Sequence, residues 1–557
     1  MTSRPPFPLA QKYLGGGPGE AELPPPDRPG NAGAKPVLQI DGLTLSIHGQ
    51  TLLKQINLQI DTGEILAIVG ESGSGKSMSA LAIMGLLPHG TKTKGIIRFA
   101  NNNLLTLNEK QLCAIRGRQI GMIFQEPMSA LNPLHSIGAQ ITEAIRLHNG
   151  TSKAQELLHK VGLDLPLSRY PHELSGGQRQ RVMIAMAIAC RPCLLIADEP
   201  TTALDVTTQA QILTLLKTLA KQENMALLMI THDLAVVSDM ADQIAVMQQG
   251  EIVETASALH HLRHPYSHAL LQASRHRPDL PATKAQTPLL RVQNVTRIYP
   301  AKRFARNPRF TALRDVSFTL HKGERLGLVG ESGCGKSTLT RAILGLDPIE
   351  GGQITLDDVP VGTPHTRRQM QMVFQDPYGS FNPRHRVSRL LSEPFHLLPD
   401  PPRGKEREAA IIEALRTVGL SPEDRHRHIH AFSGGQRQRL AIARALIIRP
   451  GVIVFDEAVS ALDVRVRARI LDLLADLARS HHLTWLFITH DLSVLRGITD
   501  RVLVMQKGRI VEDGPTSAVL SAPRHPYTAQ LLKAAPQLPE GLDYIPSTQN
   551  MDERFSD

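Results

Sequence analysis

Cysteine is scarce in this chain: Cys113, Cys190, Cys193 and Cys334 are the only four among 557 residues, too few and too scattered for a disulfide framework. Aromatic residues make up 4%, with a single tryptophan, which leaves little with which to stack nucleic-acid bases. No apolar run approaches the roughly 20 residues that a membrane-spanning helix needs, so any membrane role is expected to be peripheral. The opening MTSRPPFPLAQKYLGGGPGEAELPPPDRPGNAGAKP has no continuous apolar core and does not read as a signal peptide; a flexible Pro/Gly tail and cytoplasmic residence are expected.

What is present is ordinary globular composition, 41% hydrophobic and 20% charged, in a chain long enough for two domains. The formal charge of +10 comes from 62 basic and 52 acidic residues spread along the whole length, so no specific nucleic-acid partner is expected. Cys190 and Cys193 form a CxxC before an apolar strand with no second pair nearby, and read as buried structural thiols. Trp485, in an apolar run, reads as core. RHRHIH, residues 425–430, alternates histidines without a cysteine or carboxylate to complete a metal set, and reads as an exposed cluster.

An internal repeat organises everything else. GEILAIVGESGSGKS from Gly63 returns as GERLGLVGESGCGKS from Gly323, and LSGGQRQRVMIAMA from Leu174 as FSGGQRQRLAIARA from Phe432. LLIADEPTTALDV from Leu194 returns from Val452 as VIVFDEAVSALDV, and MITHDLAVV from Met229 as FITHDLSVL from Phe487. Landmarks that recur in one order at offsets of about 260 residues mark a duplication.

Each repeat carries a phosphate-binding pattern. Ile65 to Val69 reads as a buried parallel strand, followed by Gly70, Glu71, Ser72, Gly73, Ser74, Gly75, Lys76, Ser77 and Met78 leading into a helix. The glycines let backbone N–H groups approach phosphates, the lysine adds positive charge, and the serine hydroxyl can ligate Mg²⁺. Gly330, Glu331, Ser332, Gly333, Cys334, Gly335, Lys336, Ser337 and Thr338 repeat the set. About 120 residues after each lysine, an apolar strand ends in an acidic pair, Asp198-Glu199 and Asp456-Glu457. In a P-loop ATPase the aspartate at that place holds Mg²⁺ and the glutamate orients or deprotonates the attacking water.

The pentapeptides Leu174-Ser175-Gly176-Gly177-Gln178 and Phe432-Ser433-Gly434-Gly435-Gln436, placed between P-loop and acidic strand, resemble the signature of the ABC transporter superfamily. Each opens a helix whose N-terminal N–H groups can grip a phosphate. The resemblance implies an α/β fold: two tandem P-loop ABC nucleotide-binding domains, each a RecA-like α/β core with a helical signature subdomain and an antiparallel β subdomain. It implies that each signature faces the ATP of the opposite cassette, so that Lys76, Glu199 and His232 meet Ser433 and Gly435, and Lys336, Glu457 and His490 meet Ser175 and Gly177. Gln125 and Gln375 match Q-loops that sense Mg²⁺, His232 and His490 match γ-phosphate contacts, and Asp205 and Asp463 match the loop linking the cassettes. Catalysis falls on Glu199, His232, Glu457 and His490, and metal binding on Ser77, Gln125, Asp198, Ser337, Gln375 and Asp456. The adenine-stacking aromatic is Tyr299 in the second half; only Ile47 and His48 lie near that place in the first.

Asn132-Pro133 and Asn382-Pro383 after the Q-loops, with His264-Pro265-Tyr266 and His525-Pro526-Tyr527 closing the cassettes, are similar to the fused dipeptide, oligopeptide and nickel importer ATPases. That branch implies ATP and Mg²⁺ as cofactors, two transmembrane permease subunits and an extracytoplasmic solute-binding protein as partners, and a peripheral place on the cytoplasmic face of the inner membrane. Peptides, glutathione-like compounds and nickel chelates stay open as cargo. The alternative from another class is a soluble twin-cassette translation factor, against which the short Pro-bearing linker and the HPY closures count; a fused sugar importer would typically carry a degenerate site, whereas both sites here keep their motifs. Many relatives end in a cysteine cluster, but no cysteine follows Cys334, so no iron–sulfur cluster is expected. The halves differ at Met78 against Thr338, Pro200 against Ala458 and Glu173 against Ala431, and the differences in the second half could weaken its mechanics. Cys334, inside a P-loop, is expected to make the protein sensitive to thiol reagents. The expected division is a tail at 1–36, cassette one at 37–271, a linker at 272–288, cassette two at 289–535 and a polar tail at 536–557.

Overall fold

A computed structural model of the chain describes residues 36–126, 130–202, 204–281, 283, 287–300, 309–460, 462–481 and 483–539. The expected N-terminal tail up to residue 35, and the second tail from residue 540, lie outside the described residues. In the first half the strands are β1 (Leu38–Ile47), β2 (Gln50–Ile60), β3 (Ile65–Val69), β4 (Thr91–Phe99), β5 (Asn102–Asn103), β6 (Ile120–Ile123), β7 (Leu194–Asp198), β8 (Ala226–Thr231), β9 (Gln243–Gln248) and β10 (Glu251–Ala256). The helices that shape the site are α1 (Lys76–Ile83), α2 (Gly176–Ala187), α3 (Val206–Gln222) and α4 (Pro265–Ser274). The second half supplies β11 (Pro288–Tyr299), β12 (Phe310–His321), β13 (Arg325–Val329), β14 (Gly351–Leu356), β15 (Val359–Pro360), β16 (Met370–Val373), β17 (Val452–Asp456), β18 (Thr484–Ile488), β19 (Arg501–Gln506) and β20 (Arg509–Pro515). Its helices are α5 (Lys336–Ile343), α6 (Gly434–Leu446), α7 (Val464–His481) and α8 (Pro526–Ala534).

Each half pairs a small antiparallel sheet with a mostly parallel one. The antiparallel orders are β2-β1-β4-β5 and β12-β11-β14-β15; the larger sheets run β10-β9-β3-β8-β7-β6 and, equivalently, β20-β19-β13-β18-β17-β16. β3 pairs in parallel with β8 and β9, as its unbroken apolar run requires, because a strand covered on both faces gains nothing from polar alternation. Its side chains divide by period two. Ile65, Ala67 and Val69 join the core shared with the helical region, whereas Leu66 and Ile68 join the core under the antiparallel sheet. The strand preceding each acidic pair lies one in from the sheet edge. Trp485 is fully buried on β18 with its ring edge-on to Phe455, so its role is core packing.

The connection between the halves is anchored at several of its described residues. Helix α4 continues to Ser274, so Gln272–Ser274, expected in the linker, are helical. Beyond it, His276 pairs with Asp472 at 2.6 Å, and Leu280 packs against the second core. Arg325, buried on β13 where the first half has Ile65, donates to Asp500, to the Pro281 carbonyl and to Thr283 Oγ1. A buried guanidinium requires such partners, and the linker provides two of them. Residues 536–539, expected to open a frayed tail, are also tied down: Leu538 packs on the first core and the Pro539 carbonyl accepts from Arg275 at 2.5 Å. The closing helices cross over, with α4 lying against α7 and α8 against α3.

Candidate functional site

The site grows from the carboxyl ends of β3, β7 and β8, where parallel-sheet proteins place ligands. After β3 the chain turns through Gly73 and Gly75, at φ 81° and 108°, conformations that only glycine adopts without strain, and enters α1. Lys76 is buried, and its Nζ donates to the Gly70 and Glu71 carbonyls, both at 2.8 Å. Burial pushes the Lys76 ammonium pKa down, opposed by the carboxylates of Glu199, Asp198, Asp463 and Glu71. Lys336 makes the same pair of bonds at 2.6 and 2.9 Å. Ser77 Oγ donates to Asp198 Oδ1 at 3.1 Å, which joins the first P-loop to β7.

Beyond Asp198, Glu199 takes φ 47°, and Glu457 takes φ 49°. A left-handed non-glycine residue costs about 1–3 kcal/mol and persists where its surroundings hold it. The holding bond is visible: the Glu199 and Glu457 N–H groups donate to the Ile230 and Ile488 carbonyls, each at 2.9 Å. The kink turns each carboxylate toward the next strand's histidine. His232 Nδ1 lies 3.2 Å from Glu199 Oε1, and His490 Nδ1 lies 3.4 Å from Glu457 Oε2. Gln125 Nε2 donates to Glu199 and Gln375 Nε2 to Glu457, both at 2.8 Å. Burial alone would raise the Glu199 carboxyl, but the His232 hydrogen bond and charge, with Thr202 and Lys76, hold it at about 2. Glu457 is likewise lowered, by His490 and Lys336 against burial. Burial raises Asp198 and Asp456, each further lifted by the adjacent glutamate.

The signature residues cap their helices. Ser175 Oγ accepts the Gln178 N–H while Gln178 Oε1 accepts the Ser175 N–H, and Ser433 with Gln436 closes the same reciprocal box. The two glycines differ in function. A Cβ on Gly177 would collide with Thr208 of α3, and one on Gly435 with Val466 of α7, whereas nothing lies within 3.6 Å of a Cβ on Gly176. The second glycine therefore lets α2 pack on α3, a requirement the sequence reading missed because Thr208 lies about 30 residues away.

Asp205 caps α3 by accepting the Thr208 N–H at 3.1 Å. The residues just after each ALD reach the opposite P-loop. Arg465 ion-pairs with Glu71 at 2.9 Å, and Thr207 Oγ1 lies 2.9 Å from Glu331 Oε1. The ALD sequences pointed to a loop between the cassettes, but no motif named Glu71 and Glu331 as its partners.

Several expectations change. Cys334 is buried 4.0 Å from Lys336 Nζ, and burial pushes its thiol pKa up, so the expected thiol sensitivity at the P-loop gives way to protection by the fold. Cys190 and Cys193 are half-buried rather than buried. One face of Tyr299 is covered by the Arg297 guanidinium, 4.7 Å from the ring centroid, and its hydroxyl donates to Asp347 at 3.1 Å. Ala458 leaves its neighbour undisturbed, since Glu457 keeps the backbone angle and glutamine contact of Glu199. Where Glu173 accepts the Tyr170 N–H, the second half has Arg427 donating to the Ala431 carbonyl. In the 425–430 cluster, Arg425 pairs with Glu408 and Glu423, and the His428 and His430 rings stack at 5.6 Å.

Two P-loops, each with an acidic pair, a histidine and a capped signature helix, define a tandem ATP-binding cassette. A family model described as "ABC transporter" matches residues 53–202 and 313–460, and one described as "Oligopeptide/dipeptide transporter, C-terminal region" matches 511–556. The chain belongs to the ABC transporter family and is an ATPase of its oligopeptide/dipeptide class. It is 44% identical over 565 residues to the glutathione import ATP-binding protein GsiA of Escherichia coli O6:H1, across 90% of this chain and 89% of that one. The protein of the same name from strain K12 is 45% identical, across 87% and 86%, and that of Salmonella typhimurium LT2 is 44% identical, across 90% of each. A solved ATP-binding cassette, the dimeric post-hydrolysis state of MJ0796 bound to ADP and Pi, is 26% identical over 41% of this chain and 99% of its own, with a TM-score of 0.37.

Proposed function

We propose that this chain is the motor subunit of an importer for peptide-like solutes of the glutathione kind, hydrolysing ATP at two sites and passing the movement to two permeases served by an external binding protein. The cargo rests on the glutathione import for which the relatives are named, and the membrane association on their class. Among the described residues no helix is long and apolar enough to cross a membrane.

The observation that carries the site assignment is the cluster of Glu199, His232 and Gln125 beside Lys76, repeated as Glu457, His490 and Gln375 beside Lys336. In this reading the P-loop N–H groups and Lys76 or Lys336 hold the phosphates, and Ser175–Gln178 and Ser433–Gln436 close on the nucleotide of the opposite cassette. Ser77 and Asp198, whose oxygens stand 3.1 Å apart, form the hard oxygen set that Mg²⁺ favours, and Gln125 is bonded to the neighbouring Glu199; Ser337, Asp456 and Gln375 are their counterparts in sequence. Mg²⁺, when bound, would neutralise charge on the phosphate oxygens. The His232 bond, with Thr202 and Lys76, keeps Glu199 ionised, as a group that orients or deprotonates the attacking water must be. His232 and His490 fit the γ-phosphate contact, and Tyr299 is the candidate for stacking on adenine.

Phosphate release by the purified full chain tests the enzyme assignment, and uptake of labelled glutathione against a labelled dipeptide, by cells carrying the chain with its permeases, tests the cargo. ATP hydrolysis without uptake of either would remove the cargo assignment and leave the ATPase.

A further inference from the structure

The HPY triplet has no role in the catalytic clusters, yet each of its residues is used. His264 is the N-cap of α4, its Nδ1 accepting the Tyr266 N–H at 3.2 Å. Pro265 takes the first helical position, where a missing N–H costs nothing. Glu254 of β10 holds the start of the helix by accepting the His264 N–H at 3.0 Å and the Ser267 hydroxyl at 2.7 Å. The result aims Tyr266 at the P-loop, where its hydroxyl oxygen accepts the Glu71 N–H at 3.2 Å. In the second half His525 caps α8, Glu512 accepts the His525 N–H, and Tyr527 accepts the Glu331 N–H at 2.9 Å.

The same P-loop glutamate is reached from the other half of the chain. Arg465, two residues past Asp463, ion-pairs with the Glu71 side chain, so backbone and side chain of one residue are held from two cassettes. A small cavity lined by Gly70, Glu71, His232, Leu270, Asp463 and Val464 marks the junction of P-loop, α4 and the opposite loop. The contact is unequal between the sites. Glu71 meets a guanidinium, whereas Glu331 meets the Thr207 hydroxyl, which also lies 2.7 Å from Asp205 Oδ1 and has one proton for two carboxylates.

We propose that Tyr266 and Arg465 are positioning residues for the first ATP site, clamping Glu71 so that the first P-loop is set for phosphate by its own closing helix and by the opposite cassette together, with Tyr527 and Thr207 forming a weaker clamp at the second. The proposal rests on the assignment of Lys76 and its loop as an ATP site. Neither side chain touches the reacting atoms, so the expected effect is on nucleotide affinity.

The full chain tests this with Tyr266→Phe, which keeps the ring and removes the hydroxyl, with Arg465→Ala, and with Arg465→Lys as the conservative variant. Tyr266→Phe and Arg465→Ala should each raise KM for ATP about 3- to 10-fold, with kcat changed by less than about two-fold. Their combination should be less than multiplicative, because both act on Glu71, and Arg465→Lys should restore KM to within about two-fold of wild type. Unchanged KM in both single variants, or effects that multiply in the double variant, would overturn the clamp. Should Tyr266→Phe not fold, the partly exposed Arg465 decides: equal KM in wild type, Arg465→Ala and Arg465→Lys overturns it. Absence of ATPase activity in wild type, or its survival in a Glu199→Gln/Glu457→Gln chain, defeats the underlying site assignment and the clamp with it. Intact activity with unaltered KM removes the clamp alone.

Discussion

Glu199 and His232 meet across neighbouring parallel strands, carboxylate to imidazole at 3.2 Å, because Glu199 adopts a left-handed backbone that its neighbours would not choose. The pair recurs at Glu457 and His490 with the same kink. Left-handed backbone also recurs in both halves at Arg191 and Arg449 and at Gln249 and Lys507, so what distinguishes this pair is the carboxylate–imidazole contact that the kink makes.

Glu199→Gln and Glu457→Gln keep the size of each side chain and remove its charge. Each is expected to lower steady-state ATP turnover by about 100-fold or more, measured as phosphate release by the full chain. Normal turnover in either variant would take that site out of the reaction.

The Glu457–His490 pair makes stability depend on pH in a window set by both partners. The His490 pKa is raised from 6.5: burial opposes the charged ring, but the Glu457 bond and the Glu457 and Asp491 charges outweigh it. Its contribution is complete below 6.5 and is lost as pH rises through the higher folded value. Glu457 is lowered from 4.5, so its contribution is present above 4.5 and is lost as pH falls through the lower folded value. The gap in Tm between wild type and His490→Gln should therefore be widest between 4.5 and 6.5 and narrow on either side. A gap independent of pH would show that the pair is not ionic.

Gly177→Ala and Gly435→Ala should each destabilise the fold by about 1–3 kcal/mol, since the added methyl meets Thr208 or Val466. Gly434→Ala meets nothing within 4 Å and should leave denaturant unfolding unchanged. Any loss of ATPase activity in Gly434→Ala then reports on contact with nucleotide and not on folding.

Thiol labelling should begin at Cys113, which is exposed, and reach Cys334 slowly, because Cys334 is buried; burial raises both thiol pKa values, so access decides the order. Under native conditions Cys113→Ser should remove the fastest phase of the reaction with an aromatic disulfide reagent. Fast labelling that persists in Cys113→Ser and vanishes in Cys334→Ser would show that the P-loop opens readily.

The features legible in the sequence are those whose physics is local. A buried strand, a glycine turn and a helix-opening lysine occupy contiguous residues, and so do the reciprocal caps of Ser175 with Gln178 and Ser433 with Gln436. Duplication then turned weak motifs into strong ones, and the tandem-cassette fold follows. Distant partners were not legible. The kink at Glu199 is held by Ile230, the second signature glycine is needed because of Thr208, and Arg325 is accommodated by the linker and Asp500. The burial of Cys334 was hidden for the same reason: its place in a phosphate loop is written locally, while its burial depends on how the surrounding core closes over it.

The crossing of α4 onto α7 and of α8 onto α3 ties the histories of the two halves together. A duplicated domain is ordinarily free to drift once its copy covers the original task. Here a substitution where α7 meets α4 changes the packing of a helix encoded some 200 residues earlier, and one where α3 meets α8 that of a helix encoded some 300 residues later. Divergence such as Arg465 against Thr207 therefore has to be tolerated by a neighbour in the other copy, which makes the pair evolve as one interlocked object despite its origin as two.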